Sequence, residues 1–481
     1  MVFFKAENLS FQYPDSNKKA LDNVSVTVNK GDFILVMGKT GSGKSTLLSL
    51  INPAVSPYGR REGKAEVNSK SIGYVAQSPE NTFVSAQVRG ELAFALENIK
   101  ADNNTIALKI GEIASFFNLT ELLDREISTL SGGEKAAVSI AAAMINDADA
   151  IILDEPTSQL DSKASFELIN ILKRLNSELG VTVIMSTHQS DGIIDACDKL
   201  MVLDRGKCIF YDKPENVNDS VSPFYPLSAR LFDSHPLTVK EAVKYAPSLC
   251  EKPCEKQAIS REIVRLKNIT FAYGKNMPDV LDRLNFSAYE GKIHCVIGSN
   301  GSGKTTLLKV IAGIKKPYSG KVKIDGKIAY LPQNPRYLFT KDTVGEEIDP
   351  DSAKAFGLDE HMTQHPYDLS VGQMQKLALA ILFKQDFDIL LLDEPTKALD
   401  VFNKNDLAVF LKNLGKTVIM VSHDLDFVGD TADYVSFLSD GVITIAGERR
   451  QVLSSLNFYT TQLRRITKGC LDCAVSAEDL E

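Results

Sequence analysis

The 481-residue sequence lacks the features of a membrane-spanning, secreted or nucleic-acid-binding chain. No uninterrupted apolar run approaches the ~18–20 residues needed to cross a bilayer. The opening MVFFKAENLSF is too short, and becomes acidic too soon, for a signal peptide. The formal net charge of -8 argues against a broad nucleic-acid surface, which needs clustered Lys and Arg. We therefore expect a cytosolic protein without a nucleic-acid partner.

Cysteine is also scarce, and its spacing is unlike that of a zinc site. The seven cysteines are an odd number scattered through a large chain, which favours reduced thiols. Cys470 and Cys473 form a lone CxxC, and Cys250 and Cys254 flank the polar stretch CEKPC. A four-ligand site needs partners that no second CxxC supplies, so we expect neither pair to bind metal. With 44% apolar residues, the chain can fill the cores of two or more domains.

What the sequence does contain is one ordered set of motifs, present twice. GKTGSGKS occupies residues 38–45 and GSNGSGKT residues 298–305. Later motifs recur in the same order, which indicates two copies of one domain. The offset between copies is 260 for Tyr13/Tyr273 and Lys44/Lys304, 256 for Gln77/Gln333, 239 for Ser131/Ser370, Glu155/Glu394 and Asp161/Asp400, and 235 for His188/His423.

Both loops have the spacing G-x-x-x-x-G-K-[ST] and lie between an apolar strand and a helical run, the context that this motif requires. Their backbone N–H groups can curl around phosphate oxygens at the positive end of the following helix. We expect Lys44 and Lys304 to reach terminal phosphates, and Ser45 and Thr305 to ligate Mg²⁺. The predicted loop residues are Gly38, Lys39, Thr40, Gly41, Ser42, Gly43, Lys44, Ser45 and Thr46, and Gly298, Ser299, Asn300, Gly301, Ser302, Gly303, Lys304, Thr305 and Thr306.

Tyr13 and Tyr273 each stand 31 residues before the lysine of their loop. An aromatic ring at this fixed distance can stack on a planar adenine. The alternative is an aromatic side chain that fills the core beside a strand.

AIILDEP (residues 150–156) and ILLLDEP (residues 389–395) each predict a buried strand that ends in two carboxylates. A strand-end Asp opposite the phosphate loop can hold Mg²⁺, and the next residue can polarise the attacking water. We assign metal to Asp154 and Asp393, and the general-base role to Glu155 and Glu394. A solvated acidic turn is the structural alternative.

With LSGGE at residues 130–134 and LSVGQ at residues 369–373, the chain resembles the ATP-binding cassette family across nearly all of both halves. The resemblance implies an ATPase in which each signature opens a helix that binds the γ-phosphate held by the other cassette. Within one chain, the two cassettes would pack head to tail and need no homodimer. The implied signature residues are Ser131, Gly132, Gly133 and Glu134, and Ser370, Val371, Gly372 and Gln373.

The resemblance also implies roles for the remaining motifs. Gln77 and Gln333 would link Mg²⁺ and the attacking water to a transmembrane partner, and His188 and His423 would be switch histidines at the γ-phosphate. The loops that end at Asp161 and Asp400 would let the two sites sense each other. Site one would join Lys44, Gln77, Glu155 and His188 to the second signature, and site two would join Lys304, Gln333, Glu394 and His423 to the first.

Val371 departs from the family pattern, which has glycine at this position. Glycine would let the backbone approach phosphate, whereas valine places a β-branched side chain there. Both catalytic carboxylates are present. We hypothesise that both sites hydrolyse ATP and that site two is faster. A degenerate nucleotide sensor, which would bind ATP without turnover, is disfavoured by the intact Glu155, Glu394, His188 and His423.

Local phrases resemble the duplicated ATPase of energy-coupling-factor importers, which take up vitamins, related micronutrients or metal ions. The resemblance implies a transmembrane scaffold subunit, a separate substrate-binding membrane subunit, and a peripheral location on the cytoplasmic face of the membrane. Residues 81–98 would form the scaffold-docking surface. A soluble tandem-cassette ATPase of translation or ribosomes is the alternative, although a proline-containing linker replaces the charged helical one expected there. The phrases are QSPENTFVSAQVRGELAFALEN, YPLSARLFDSHPLTVKEA and FYTTQLRRI.

Alternating strands and helical runs predict an α/β fold in each half, with a mostly parallel sheet, an N-terminal antiparallel part and a helical subdomain. The predicted domains are 1–211 and 263–448, separated by a linker at 212–262 and followed by an extension at 449–481. The second helical subdomain is shorter by 17 residues, the fall in offset from 256 to 239. This suits an asymmetric membrane partner, or is neutral loss at a tolerant loop. We expect residues 471–481 to be a solvated acidic tail.

Overall fold

The computed structural model describes residues 1–14, 16, 18–77, 82–158, 160, 162–254, 260–275, 277–397 and 399–481. The chain forms two compact units, Met1–Thr238 and Val239–Glu481. The division falls inside the stretch predicted as a linker, whose prolines are compatible only with short helical pieces.

The first unit contains a three-stranded antiparallel sheet of order β2-β1-β4 and a six-stranded sheet of order β5-β6-β7-β3-β8-β9. Within the second sheet only β9 runs antiparallel to its neighbour. The strands are β1 Val2–Gln12, β2 Leu21–Asn29, β3 Phe33–Gly38, β4 Arg60–Val67, β5 Ile72–Val75, β6 Ala150–Asp154, β7 Thr182–Ser186, β8 Lys199–Asp204 and β9 Lys207–Asp212. The helices are α1 Lys44–Ile51, α2 Val88–Asn98, α3 Asn103–Phe116, α4 Gly132–Met144, α5 Ser162–Leu179 and α6 Leu227–Leu231.

The second unit repeats this architecture with sheet orders β11-β10-β13 and β14-β15-β16-β12-β17-β18. Its strands are β10 Glu262–Phe271, β11 Leu281–Tyr289, β12 Ile293–Ile297, β13 Ser319–Ile324, β14 Ile328–Leu331, β15 Ile389–Asp393, β16 Thr417–Val421, β17 Tyr434–Ser439 and β18 Val442–Glu448. Its helices are α7 Val239–Ala242, α8 Lys304–Ile311, α9 Val344–Glu347, α10 Pro350–Ala355, α11 Val371–Phe383, α12 Val401–Asn413, α13 Leu425–Thr431, α14 Arg449–Ser455 and α15 Gln462–Thr467. The predicted α/β fold is confirmed for both units.

The central strands are buried along their whole length, as apolar runs in a parallel sheet covered on both faces require. Every residue of β3, β6 and β7 is buried, and so is every residue of β12, β15 and β16. These strands end at the same edge of each sheet, where the phosphate loop, the paired carboxylates and the histidine follow them. The sheet therefore gathers motifs that are far apart in sequence.

The helical inserts differ in size. Between the glutamine and the signature, the first unit has α2 with 11 residues and α3 with 14. The second unit has α9 with 4 residues and α10 with 6 at the matching place. The shorter helices, with 10 residues against 25, account for 15 of the 17 fewer residues in that segment.

The expectation of a solvated C-terminal tail is wrong. Ala474, Val475 and Asp479 are at most 4% exposed, and Asp479 Oδ1 pairs with Arg449 Nη2 at 2.6 Å. Acidic composition suggested solvation, but an arginine presented by α14 neutralises the carboxylate, so the segment can pack. In the described part of the chain, no helix is both long and apolar enough to span a membrane.

Candidate functional site

Each phosphate loop connects a buried strand to a helix whose lysine turns back into the loop. Lys44 Nζ donates to the carbonyls of Gly38 at 2.9 Å and Lys39 at 3.2 Å. In the second unit, Lys304 Nζ donates to Gly298 at 2.9 Å and Ser299 at 2.8 Å. The two loops therefore have the same local geometry.

Glycine is required at the start of each loop. At Gly38, with φ of +154°, a Cβ would lie 2.3 Å from Leu203 O; at Gly298, with φ of +156°, it would lie 2.2 Å from Leu438 O. Inside the loops, Ser42 Oγ and Ser302 Oγ are buried and have no hydrogen-bond partner within the described ranges. A buried hydroxyl without a partner costs free energy, and a phosphate oxygen would satisfy it.

In the first unit, three predicted site residues converge on the buried carboxylate of Glu155. Glu155 Oε1 lies 2.7 Å from His188 Nε2 and 3.8 Å from Lys44 Nζ, while Glu155 Oε2 accepts from Gln77 Nε2 at 3.0 Å. His188 Nδ1 is buried and lacks a partner among the residues described. The arrangement holds a carboxylate beside the phosphate-loop lysine and leaves a histidine nitrogen available to a ligand.

The second unit brings Glu394 and His423 together in the same way. His423 Nε2 lies 3.0 Å from Glu394 Oε1, and the His423 backbone N–H donates to Glu394 Oε2 at 3.2 Å. Glu155 and Glu394 both have left-handed backbone, with φ of +50° and +53°. Such a conformation costs about 1–3 kcal/mol in a non-glycine residue and is found preferentially at functional sites.

The electrostatic surroundings shift the pKa values of Asp154 and Glu155 in opposite directions. Burial acts to raise the pKa of Glu155, but the hydrogen bond from His188 and the charges of His188 and Lys44 outweigh it, so this pKa lies below its ordinary value. Burial raises the pKa of Asp154 and of Asp393 in spite of hydrogen bonds to nearby hydroxyls. Glu155 is thus ionised near neutral pH, as a proton acceptor must be.

Oxygen atoms that could hold Mg²⁺ lie together in both units. Thr305 Oγ1 donates to Asp393 Oδ1 at 3.0 Å, and the Ser45 hydroxyl hydrogen bonds to Asp154. Gln77 and Gln333 each follow an edge strand by two residues. Hydroxyl, amide and carboxylate oxygens suit Mg²⁺, which commonly takes few protein ligands and completes its shell with water and phosphate. Accordingly, no cluster of three or more His, Cys, Asp or Glu side chains suited to a metal occurs in the described ranges.

Ser186 is a site residue that the motif search missed. Its Oγ donates to Asp154 Oδ1 at 2.6 Å and accepts the backbone N–H of Glu155 at 2.9 Å. In the second unit, the N–H of Glu394 is instead accepted by the backbone carbonyl of Val421 at 3.0 Å. The serine at the end of VTVIMS, where the other copy reads TVIMV, was the available signal.

The two tyrosines lie at the loops rather than within the core. Tyr13 OH is 3.2 Å from Thr46 Oγ1, and Tyr273 OH is 3.0 Å from Thr306 Oγ1. The two residues are 39% and 51% exposed, which is compatible with stacking of their rings on a ligand. The role of these rings in adenine binding stays a prediction.

The signature segments begin helices α4 and α11 with matching capping boxes. Ser131 Oγ accepts from the N–H of Glu134, and Ser370 Oγ from the N–H of Gln373. The first N–H groups of an α-helix have no acceptor within the helix and lie at the positive end of its dipole, a setting that favours anions. Gly132, Gly133, Val371 and Gly372 form the first turns of these helices.

Of the two aspartates predicted to let the sites sense each other, the structure describes only Asp400. Asp400 is buried and caps α12, accepting the N–H of Asn403 at 2.8 Å. Asp161 lies outside the described residues.

Comparison with known proteins is consistent with this geometry. The sequence profile described as ABC transporter matches residues 21–158 and 281–397. A Bacillus cereus protein named "Putative ABC transporter ATP-binding protein" is 35% identical, with 98% of this chain and 96% of that protein aligned. A Bacillus subtilis protein named "Putative HMP/thiamine import ATP-binding protein" is 29% identical over 93% of this chain and 92% of its own length.

A solved structure of an archaeal ribosome recycling factor, in complex with a ribosomal stalk protein, has a TM-score of 0.65 and 23% identity. It aligns with 93% of this chain and covers 91% of its own, and at this identity the likeness shows the fold alone. The profile matches contain both phosphate loops and both paired carboxylates. The chain is therefore an ATPase that belongs to the ABC transporter family.

Proposed function

We propose that this ATPase energises an importer of the energy-coupling-factor type, through two ATP sites that each combine one unit's phosphate loop with the other unit's signature helix. The observation that carries the proposal is the Glu–His pair found in both units, with Glu155 7% and Glu394 9% exposed. A nucleotide sensor without turnover needs neither carboxylate. Intact pairs in both units support two hydrolytic sites.

In each site, the protein side chains would bind phosphate, orient water and accept its proton. The phosphate-loop lysine and the helix N-terminus would hold the phosphates, while Glu155 or Glu394 accepts a proton from the attacking water. Bound Mg²⁺ would neutralise phosphate charge and be held by Ser45, Gln77 and Asp154, or by Thr305, Gln333 and Asp393. His188 and His423 would keep the carboxylates oriented and contact the γ-phosphate.

The membrane role is supported by the relative named for HMP/thiamine import and by the surface near α2. Within the predicted docking segment, Val84 is 63% and Phe94 is 40% exposed. Exposed apolar side chains in the segment that follows Gln77 in sequence suit a partner that must respond to the nucleotide state. The matching stretch in the second unit is shorter, so the proposed membrane scaffold would dock asymmetrically.

Exchange of residues 78–98 with residues 334–349 tests this role. We expect the exchanged chain, purified from native membranes in mild detergent, to lose a small integral membrane subunit that the wild-type chain retains. The exchanged chain should still hydrolyse ATP in detergent, and this activity serves as the folding control. Unchanged recovery of the membrane subunit would contradict the docking assignment. Co-purification of the wild-type chain with ribosomal RNA would instead support the soluble alternative.

A further inference from the structure

The two signature helices are capped alike, but their capping side chains are held by different partners. In the first unit, Glu134 Oε2 accepts the Ser131 N–H at 2.7 Å, and Glu134 Oε1 lies 3.8 Å from Arg125 Nη1. In the second, Gln373 Oε1 accepts the Ser370 N–H at 2.9 Å. The other end of that amide, Nε2, lies 2.8 Å from Nε2 of a histidine, His361.

His361 and Gln364 can each be matched to a residue of the first unit. The offset of 239 between the signatures relates Leu122 to His361 and Arg125 to Gln364. The local structure agrees, because the short 3-10 helices Thr120–Leu122 and Asp359–His361 differ by the same offset. His361 Nδ1 lies 3.0 Å from Gln364 Oε1. In the first unit, Arg125 pairs directly with Glu134. In the second unit, the matching residues Gln364 and Gln373 are instead connected through His361.

The hydrogen-bond pattern fixes the proton on the imidazole. The Ser370 N–H can only donate, so Gln373 must direct its Oε1 there and its NH₂ group toward the ring. His361 Nε2 must therefore accept, which leaves the proton on Nδ1, where it is donated to Gln364 Oε1. Each donor in the series of hydrogen bonds that joins Ser370, Gln373, His361 and Gln364 meets an acceptor only when His361 is neutral and carries its proton on Nδ1.

We propose that His361 is a positioning residue for ATP hydrolysis, which acts by holding Gln373 in the cap of the second signature helix. The amide cannot rotate without turning its NH₂ group toward the Ser370 N–H. Removal of the ring leaves the amide without its second anchor, so the start of α11 loses order. The functional consequence rests on the proposed function, in which this helix start faces the phosphates of the site that contains Glu155.

The bond itself is tested by ¹⁵N NMR of the full chain labelled at histidine. The sequence has six histidines, and a His361→Asn variant assigns the signal of interest. We expect a protonated Nδ1 and an unprotonated Nε2 at neutral pH. A proton found on Nε2 would overturn the proposal, and this measurement requires no nucleotide or membrane partner.

The positioning role is tested by ATP turnover in a Glu394→Gln background, where the proposed pairing leaves the second signature in use. His361→Ala should lower kcat/KM for ATP by about threefold to tenfold, the range expected when a helix cap is weakened. The combined changes His361→Leu, Gln364→Arg and Gln373→Glu rebuild the first unit's set, and should restore kcat/KM to within about twofold. His365→Ala is the matched control. It removes a nearby histidine whose hydrogen bond, accepted from the N–H of Tyr367 at 3.1 Å, does not involve Gln373.

The possible outcomes separate this proposal from the proposed function. An unaltered kcat/KM for His361→Ala in an active Glu394→Gln background would overturn the positioning role and leave the proposed function intact. Failure of the rebuilt set to restore turnover, with an unchanged melting temperature, would also overturn it. Complete inactivity of the Glu394→Gln background would contradict the proposal that both sites hydrolyse ATP, while the NMR measurement would still decide the His361–Gln373 bond.

Discussion

The paired carboxylates allow the two sites to be compared one residue at a time. Glu155→Gln and Glu394→Gln each remove a proposed proton acceptor while keeping the size of the side chain. We expect both to lower steady-state ATPase activity and Glu394→Gln to lower it more, because the site with Glu394 is completed in our proposal by the signature that retains both glycines. Phosphate release by the purified variants measures this. If Glu394→Gln leaves most of the activity, the ranking of the sites is wrong.

Ser186 provides a second difference at the level of single residues. Ser186→Ala would leave the buried N–H of Glu155 without its acceptor and remove the hydrogen bond to Asp154. We expect turnover at the Glu155 site, measured in the Glu394→Gln background, to fall about tenfold, equivalent to ~1.4 kcal/mol. Val421→Ala, measured in the Glu155→Gln background so that the Glu394 site is the active one, is the control, since there a backbone carbonyl accepts the corresponding N–H. Equal effects of the two substitutions would show that the serine has no particular role.

At the scale of a helix, Val371 and Gly132 occupy the same position of the two signatures. Val371→Gly should raise turnover at the site that uses this signature by about threefold, even though glycine lowers helix stability by ~0.5–1 kcal/mol. The reciprocal Gly132→Val, measured in a Glu155→Gln background, should lower turnover at the site that contains Glu394. A Cβ at Gly132 would lie 3.4 Å from Leu160 Cδ2, so the first unit can accommodate it and the effect should be on turnover. Lower turnover in Val371→Gly would contradict the interpretation of Val371 as a defect.

The C-terminal segment is an element that stabilises the second unit. Ala474 and Val475 are buried, and Asp479 pairs with Arg449, which also donates to the carbonyl of Gly429 in α13. Deletion of residues 472–481 should lower the free energy of unfolding of this unit by about 2–4 kcal/mol, because it exposes apolar surface and leaves a partly buried arginine without its carboxylate. Urea denaturation followed by circular dichroism measures the loss. An unchanged midpoint would mean that the segment does not contribute.

The elements and the local arrangement of the site were predictable from sequence to different degrees. The loops, strand-end carboxylates and signature helices follow from glycine spacing, apolar runs and capping residues, all of which are local. Ser186 and His361 act through contacts between segments that are separate in the chain, so no single motif contains them. The burial of Val475 depends on an apolar cluster contributed by other elements, and acidic composition alone suggested the opposite.

At the scale of the whole molecule, duplication in one chain has let each unit acquire its own substitutions. The first unit has Ser186, Glu134 with Arg125 and a glycine-rich signature, whereas the second has Val421, Gln373 with His361 and Val371. Ser186 and Val421, Glu134 and Gln373, and Gly132 and Val371 occupy matching positions, whereas His361 matches Leu122 and Arg125 matches Gln364. A homodimer could not maintain them, because each change would appear in both halves. The covalent pairing therefore suits the two unequal ATP sites that we propose.

His294 extends this inequality to the response of the protein to acid. It occupies β12 where the first unit has Ile34, at an offset of 260, and its Nε2 accepts the Tyr289 N–H at 2.8 Å beside the stacked ring of Tyr434. Burial lowers the pKa of His294 to about 4, with Asp433 opposing and Lys292 assisting the shift. In the unfolded chain the pKa is ~6.5, so only the unfolded state gains this proton as pH falls between those values. Above pH ~6.5 the histidine carries no such penalty.

We therefore expect the second unit to lose about 3 kcal/mol of stability between pH 7 and pH 4 through His294 alone. Urea unfolding at several pH values, followed by hydrogen exchange with mass spectrometry, would report the two units separately. His294→Ile should lower stability at pH 7, because the Tyr289 N–H loses its acceptor, yet the variant should show a smaller loss on acidification. If wild-type and variant lose stability in parallel as the pH falls, His294 is not the group responsible, and the difference in acid response between the units must come from other residues.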